Sequence, residues 1–189
     1  MTDELHEWAR SLDTLQEQAW KRLGRGVADR RAPARHPTLA TVDREGMPQA
    51  RTVVLRAADP DPASLKVYTD RYADKVDEVS AHPYAAIHVW DNTAHLQLRL
   101  TGGVAIHTGA AIEPIWSQLS DHARNCYGFH PASGQSMSEA LAYDVQPDPG
   151  SFAVLELMIQ RMDVLHLGNR HRRAQFSRSD DWAGQWVVP

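Results

Sequence analysis

Cysteine is almost missing from this chain of 189 residues, which contains Cys126 and no other. A single thiol can neither form a disulfide within the chain nor build a cysteine cage for a metal ion. No apolar run approaches the roughly 20 residues that a membrane-spanning helix needs. The first residues, MTDELHEWARSL, are acidic and amphipathic and lack the pattern of a secretory signal. We therefore expect a protein of the reducing cytoplasm that does not enter a membrane.

An excess of positive charge is also absent. The chain has 20 lysines and arginines against 24 aspartates and glutamates, so its formal net charge is −4. Because phosphate contacts need a basic surface, we do not expect nucleic acid as a partner. The remaining composition, 42% hydrophobic and 23% charged, is that of a globular domain with a buried core.

The motifs of several common enzyme classes do not occur. There is no Walker loop, no GxGxxG fingerprint, no GxSxG elbow and no HExxH frame. His166 with His171, or His88 with His95, can be proposed as metal ligands, but no acidic partner has ligand spacing. We predict no metal site, and the sequence identifies no side chain as a catalytic acid or base.

A helical pattern begins the chain. Apolar residues at spacings of three and four predict a helix over Glu4–Gly24, with Asp3 as its N-cap and Gly24 and Gly26 as its stop. The polar, proline-containing run RGVADRRAPARHP that follows indicates a linker or an extended arm. We therefore divide the chain into an N-terminal helix and linker, residues 1–35, and a main domain, residues 36–189.

The main domain has the pattern of short strands. TLATV and QARTVVLRA flank the turn sequence DREGMP, which predicts a hairpin, and Gly102-Gly103 predicts a bulge in a later strand. RRAQFSR and QWVVP predict a final hairpin. Further strands are predicted at Ser64–Thr69, Tyr84–Trp90, His95–His107 and Phe152–Leu167, and helices at Lys75–Ala81 and Ala110–Asn125. This pattern predicts a mainly β fold with helices, built around a β-barrel.

Polar residues inside these strands are the candidates for binding. Arg51 and Arg56 bracket four residues of one strand, and alternation puts them on opposite faces unless a bulge intervenes. A strand ends at Tyr68-Thr69, and Lys75 begins the next helix, which is an arrangement that can hold a phosphate. Each feature also has a plain structural interpretation: an arginine paired with a carboxylate, an ordinary turn or, for Gln97, an outward-facing amide.

In their order and spacing, these segments resemble the pyridoxamine 5′-phosphate oxidase-like flavoproteins. The segments are RTVVLR (51–56), VYTD (67–70) with Lys75, QLRLTG (97–102), QS (135–136), HRR (171–173) and the closing WVVP. The resemblance runs from about His36 to the end. It implies a dimeric, FMN-binding split β-barrel, in which a homodimer carries two FMN sites at its interface.

The resemblance also implies roles for single residues. Arg51 and Lys75 would grip the FMN phosphate, while Gln135 and Ser136 would reach FMN from the partner subunit. Arg170 and His171 would face a small-molecule substrate. The other residues implied to contact FMN are Val53, Val54, Leu55, Arg56, Tyr68, Thr69, Gln97 and Arg173.

The chain departs from the family pattern at several positions. Asp74 stands where members usually have arginine, and Asn169 replaces the first arginine of the C-terminal motif. On the helix that holds the substrate phosphate, the family's tyrosine, arginine and serine correspond to Ser117 (or Trp116), Asp121 and Asn125. A carboxylate in place of an arginine opposes phosphate binding, so these departures predict that FMN binding is kept and the substrate site has diverged.

The sequence therefore predicts an FMN-dependent oxidoreductase with an unidentified substrate, electron donor and acceptor. One alternative is a genuine pyridoxamine or pyridoxine 5′-phosphate oxidase. Another is a non-catalytic module that holds FMN, or haem with His166 and His171 as candidate ligands. A structural or regulatory dimer with an empty site also remains open.

Overall fold

The structure is a computed structural model that describes residues 6–189. Its α-helices are α1 (Leu12–Ala28), α2 (Asp74–Ala81), α3 (Glu113–Gln118) and α4 (Asp121–Arg124). Its strands are β1 (Thr38–Val42), β2 (Pro48–Thr52), β3 (Leu55–Asp59), β4 (Ser64–Asp70), β5 (Tyr84–Asp91), β6 (Leu96–His107), β7 (Phe129–His130), β8 (Asp144–Val145), β9 (Phe152–His166), β10 (Arg172–Ser177) and β11 (Gln185–Val187). The prediction of a mainly β fold with helices is confirmed. Within this part of the chain, no helix is both long and apolar enough to span a membrane.

The main sheet is organised around the long strand β9. Its strands follow the order β11-β10-β9-β6-β5-β1-β2, and β3 and β4 join through β9. β6 runs along one edge of β9, while β4 and β10 share the other edge, where they pair with Phe152–Met158 and Arg161–His166. In the described chain β2 and β3 do not pair, so the sheet is not closed into a barrel. This corrects the prediction of a barrel in its strict sense.

The run QARTVVLRA does not form one strand as predicted. It breaks at Val53-Val54, because β2 pairs with β1 whereas β3 pairs with β4. The predicted bulge is confirmed, since the β6–β9 register shifts between Thr101 and Gly102. A Cβ atom at Gly102 would collide with the backbone carbonyl of Met158, so only glycine allows this close approach.

The N-terminal helix differs from its prediction at both ends. A 3₁₀ turn at Glu7–Arg10 precedes α1, and Ser11 caps α1 by accepting a hydrogen bond from the Thr14 amide. Asp3, the predicted cap, lies outside the described residues. The predicted stop at Gly24 and Gly26 is wrong, because α1 continues to Ala28. Gly26 instead permits contact with Ala34, where a Cβ atom would meet backbone at 2.6 Å.

The main core lies between α1 and one face of the sheet. Leu15, Ala19 and Leu23 of α1 are fully buried in the same cluster as Leu55 and Leu96. Strand alternation decides which side chains reach this core: Leu65, Val67 and Thr69 of β4 are buried, while Tyr68 points to the other face. The fold therefore presents alternate residues of β4 to two different environments.

A second, smaller cluster covers the other face of β4 and β9. It contains Ile112, Trp116, Tyr127, Phe152 and Val154. The single helix predicted over Ala110–Asn125 is wrong: α3 and α4 are separate. The chain is extended at Leu119 and Ser120, and the Ser120 hydroxyl caps α4. A local polar cap thus outweighs the helical periodicity of this stretch.

Candidate cofactor site

The side chain of Arg51 is held between β1 and α2. Its Nη2 donates to both carboxylate oxygens of Glu78, at 2.9 and 2.8 Å, and its Nη1 donates to the Thr41 hydroxyl. Thr41 in turn donates to Glu78. Thr41 and Glu78 are buried, whereas the side chain of Arg51 is 23% exposed. Arg51 is therefore fixed in place yet still reaches solvent.

Lys75 lies in the first turn of α2, beside this group. Its Nζ donates to Thr69 Oγ1 at 3.1 Å, and among residues 6–189 no carboxylate comes within ion-pair distance of it. Burial lowers the pKa of Lys75, and the nearby charge of Arg51 lowers it further, against the opposing charges of Asp74, Glu78 and Asp70. Lys75 is thus a half-buried cation that has a second cation as neighbour and, among the described residues, no counter-ion in contact.

The N-terminus of α2 adds further donors. Its N-cap residue is Ala73, and no side chain in residues 6–189 caps the first turn. Backbone N–H groups at an uncapped helix N-terminus can donate to an anion. We define Arg51, Thr69, Lys75 and this N-terminus as the cradle. Cationic side chains and backbone N–H donors of this kind can bind a phosphate.

Arg56 lies on the other face of β3 and β4. The β3–β4 register shifts between Leu55 and Ala57, which leaves Arg56 as the bulged residue. Its guanidinium lies over the Tyr68 ring, 5.4 Å from the ring centroid, and its buried Nε has no hydrogen-bond partner in the described chain. Burial raises the pKa of neighbouring Tyr127 to about 12 against the charge of Arg56, so the Tyr127 hydroxyl stays protonated at neutral pH.

The predicted flavin-contact residues between these two arginines lie at the sheet corner. Val53 and Leu55 are buried and Val54 is half-buried. The break and the bulge together turn Arg51 toward α2 and Arg56 toward Tyr68. Arg51, Arg56, Tyr68, Thr69 and Lys75 therefore lie around one corner of the molecule.

Gln135 and Ser136 are exposed in the loop between β7 and β8. The adjacent Gly134 lies against Asp74, since a Cβ atom there would be 2.7 Å from Asp74 Oδ1. This loop therefore sits beside the N-terminus of α2 in the same chain. The resemblance implied that Gln135 and Ser136 reach FMN from a partner subunit, and this assignment stays a prediction.

Gln97 and Arg173 lie on the surface of the sheet that faces away from the main core. Leu96, Leu98 and Leu100 are buried, so alternation turns Gln97 to the opposite face. Leu165 of β9 is the register partner of both Gln97 and Arg173, which places these two residues in one row across the sheet. They are not brought together with Arg51 and Lys75, which lie on the core side of the sheet.

Asp163 occupies most of the hydrogen-bonding capacity of Arg173. It accepts from Arg173 Nη2 at 2.7 Å, from Arg99 Nη2 at 2.7 Å and from Gln175 Nε2 at 3.0 Å. Burial raises the pKa of Asp163, but these donors outweigh it and hold the pKa below its usual value. Unlike Lys75, Arg173 is therefore a cation whose charge is already compensated.

Arg170 and His171, the predicted substrate residues, are exposed on the turn between β9 and β10. Beneath this turn His166 is fully buried, with its Nε2 3.1 Å from His6 Nδ1 and its ring packed on Trp8. Burial lowers the pKa of His166 to about 4, so the ring is neutral at neutral pH. His6 and Trp8 therefore cover His166, and its Nε2 is occupied by the contact with His6.

Sequence reasoning missed Arg124 in the segment assigned to the substrate phosphate. Its guanidinium lies 5.6 Å from the centroid of the Trp116 ring and donates to the carbonyl oxygens of Trp116 and Ser117. Asp121 is 99% exposed and pairs with Arg124 at 3.4 Å. The segment therefore does carry a cation. The sequence analysis did not find it, because it matched the family's residues to Ser117, Asp121 and Asn125 by position. The signal that could have found it is the Asp121–Arg124 spacing of three.

The family model described as pyridoxamine 5′-phosphate oxidase, FMN-binding domain, matches residues 6–108, more than half of the chain. The chain belongs to this family. The resemblance stated from the motifs is thereby confirmed.

Curated relatives carry the same family name. A pyridoxine/pyridoxamine 5′-phosphate oxidase of Caulobacter vibrioides is 32% identical over 152 residues, covering 80% of this chain and 60% of the relative. The pyridoxine/pyridoxamine 5′-phosphate oxidase 2 of Arabidopsis thaliana is 24% identical over 169 residues, covering 81% of this chain and 85% of the relative. The match spans from 30% to 62% of the length of the first three curated relatives.

Two solved structures share the fold over nearly the whole chain. A pyridoxamine 5′-phosphate oxidase-related, FMN binding protein from Nostoc punctiforme has a TM-score of 0.76 and 27% identity, covering 98% of this chain and 99% of that one. PhzG from Burkholderia lata, in complex with tetrahydrophenazine-1-carboxylic acid, has a TM-score of 0.73, covering 99% of this chain and 98% of that one. Its 18% identity shows a shared fold alone.

The family's FMN-binding domain makes FMN the group to test against the cradle. Three observations on the described residues fit it: Lys75 has no counter-ion in contact, α2 has an uncapped N-terminus, and the buried Nε of Arg56 lacks a partner. An FMN phosphate would satisfy the first two. In residues 6–189 no three His, Cys, Asp or Glu side chains form a group that could hold a metal ion.

Proposed function

We propose that this chain binds FMN through the cradle and acts as an FMN-dependent oxidoreductase on a small molecule. The observation that carries the proposal is Lys75, a half-buried ammonium beside Arg51 that no carboxylate of residues 6–189 contacts. Such a cation costs free energy to bury, and an anionic ligand offsets that cost. FMN, when bound, supplies two-electron redox chemistry, while the residues of the chain bind and orient it.

We further propose that two copies of the chain share each FMN site. Gln97 and Arg173 face away from the core side, so one chain does not bring them to its own cradle. A second copy could present this surface, together with Arg170 and His171, to the FMN held by the first. The proposal predicts a homodimer, which sedimentation velocity or light scattering would detect.

Replacing Lys75 tests the FMN proposal. K75Q removes the charge while keeping most of the side chain, and FMN affinity should fall about 100-fold, as expected for the loss of a charged phosphate contact. K66Q is the matched control, because Lys66 lies on β4 but pairs with Glu156 at 3.4 Å on the other face. Quenching of flavin fluorescence measures both affinities. Equal FMN affinity in K75Q and the wild type would contradict the proposal.

Oxidation of pyridoxamine or pyridoxine 5′-phosphate is a second candidate function. Arg124 favours it, because this cation lies in the segment where the family binds the substrate phosphate. The proposed divergence of the substrate site then rests on two positions where the family has arginine. This chain has Asn169 at one and Asp121 at the other. The names of the curated relatives also support this candidate.

Anaerobic mixing separates the two candidates. Bleaching of bound FMN by pyridoxamine or pyridoxine 5′-phosphate would show that two electrons pass from that compound to the flavin. This result would support the oxidase. Bleaching by a reduced nicotinamide alone would support a reductase with a diverged site. A Soret band in place of flavin absorption in the purified protein would contradict both.

A further inference from the structure

Glu78 brings a negative charge into a site proposed to bind a dianion. It follows Lys75 by about one helical turn of α2, and it is 6% exposed. Both of its carboxylate oxygens accept from Nη2 of Arg51, and one also accepts from Thr41. The buried carboxylate is therefore directed at one of the two cations that define the cradle.

This geometry makes the two cradle cations unequal. Arg51 has a carboxylate partner at 2.8 Å, so much of its charge is cancelled a few ångströms away. Within residues 6–189, Lys75 Nζ donates to the Thr69 hydroxyl and has no carboxylate within ion-pair distance. The charges of Arg51 and Glu78 act on the pKa of Lys75 in opposite directions, which shows that the three groups lie within electrostatic reach of each other. A phosphate in the cradle would interact with the full charge of Lys75 but with only part of the charge of Arg51.

We propose that Glu78 is a specificity-determining residue that limits how strongly the cradle prefers a phosphorylated flavin to the same flavin without phosphate. It does so by neutralising Arg51 and by repelling the phosphate through the same buried carboxylate. The proposal rests on the proposed function, because it takes FMN as the ligand of the cradle. Its consequence is that FMN binds less tightly than two free cations would allow.

A purely structural role for Glu78 makes a different prediction. If Glu78 only fastens α2 to β1 and β2, its replacement should change the binding of every flavin alike. Riboflavin shares the ring and ribityl chain of FMN but lacks the phosphate. The ratio of the riboflavin Kd to the FMN Kd therefore isolates the cradle's contribution and cancels effects common to both ligands.

The test compares E78Q with D77N. E78Q keeps the size of the side chain and an oxygen that can accept from Arg51, but it removes the charge. D77N makes the same change one residue earlier, where Asp77 is exposed and pairs with Arg44 outside the cradle. We expect E78Q to raise the Kd ratio about tenfold and D77N to leave it unchanged within about twofold.

The salt dependence gives a second readout. FMN binding by E78Q should weaken more steeply with added salt than FMN binding by the wild type, because more uncompensated charge faces the phosphate. Riboflavin binding should show no such change. If E78Q does not fold, E78D keeps the charge but withdraws it from Arg51 by one methylene group, and the ratio should rise by a smaller factor.

Two results would overturn the inference in different ways. A Kd ratio that stays the same or falls in E78Q, while the wild type binds FMN more tightly than riboflavin, would refute the role of Glu78 and leave the proposed function standing. A wild-type protein that binds neither flavin would refute the proposed function and this inference with it.

Discussion

Two regions of the molecule pair arginine with a buried or half-buried carboxylate. They differ in whether a cation remains without a carboxylate partner. On the outer face of the sheet, Asp163 binds Arg99, Arg173 and Gln175, so the charges compensate each other. In the cradle, Glu78 binds Arg51, and no carboxylate in the described part of the chain contacts Lys75. A cation without a counter-ion is thus a better indicator of an anion site than a high density of basic residues.

We expect the largest effect on FMN affinity when a cation of the cradle is replaced, and a smaller effect when a cation of the outer face is replaced. K75Q should weaken FMN binding about 100-fold, whereas R173Q should weaken it less than about tenfold, because Arg173 is already paired with Asp163. Fluorescence titration of both variants measures the difference. If R173Q costs more than K75Q, the comparison is reversed and the outer face is the main phosphate site.

Acid should destabilise the β9–β10 turn through His166, which is buried on the core side of β9. The unfolded chain binds a proton near pH 6.5, but the buried ring resists protonation until about pH 4. The lowered pKa of His166 therefore contributes its full stabilisation above pH 6.5, and this contribution falls as the pH drops from 6.5 to about 4, by about 3 kcal/mol in the free energy of unfolding.

The measurement is urea unfolding at several pH values. H166Q should lose this part of the pH dependence, and H122Q, which replaces an exposed histidine, should keep it. Hydrogen exchange should show faster opening of the β9–β10 turn than of α2 as the pH falls. Equal opening of both would mean that His166 does not support this turn in particular.

Asp163 should matter for stability by a smaller amount. Its lowered pKa means that its contribution is present above the ordinary aspartate value of 3.8 and is lost as the pH falls through the folded value. D163N should cost about 2 kcal/mol at pH 7, because two arginines and a glutamine lose a charged acceptor. D144N changes an exposed aspartate and should be neutral. A D163N protein as stable as D144N would show that the outer network adds nothing to folding.

Local patterns in the sequence predicted much of the fold. The first and last hairpins and the bulge at Gly102 follow from periodicity, turn residues and a glycine with no room for a side chain. The single helix over Ala110–Asn125 was wrong because Ser120 caps a new helix there. Periodicity alone does not register such a competing local hydrogen bond.

The candidate site was predicted only in part. Thr69 and Lys75 are six residues apart, so a strand-to-helix turn suffices to bring them together. The Arg51–Glu78 pair joins residues 27 apart on two elements, and the Arg173–Asp163 network depends on the register of β9 and β10. Tertiary packing decides which residues form such pairs. No spacing in the sequence indicates which cation will lack a carboxylate partner.

The affinity of the wild-type protein for FMN and for riboflavin tests the central claim most directly. The two ligands differ by the phosphate alone, so the ratio of their Kd values measures what the cradle contributes. We predict that FMN binds about 100-fold more tightly than riboflavin at low salt. Equal affinities would mean that Lys75 and its neighbours do not hold a phosphate.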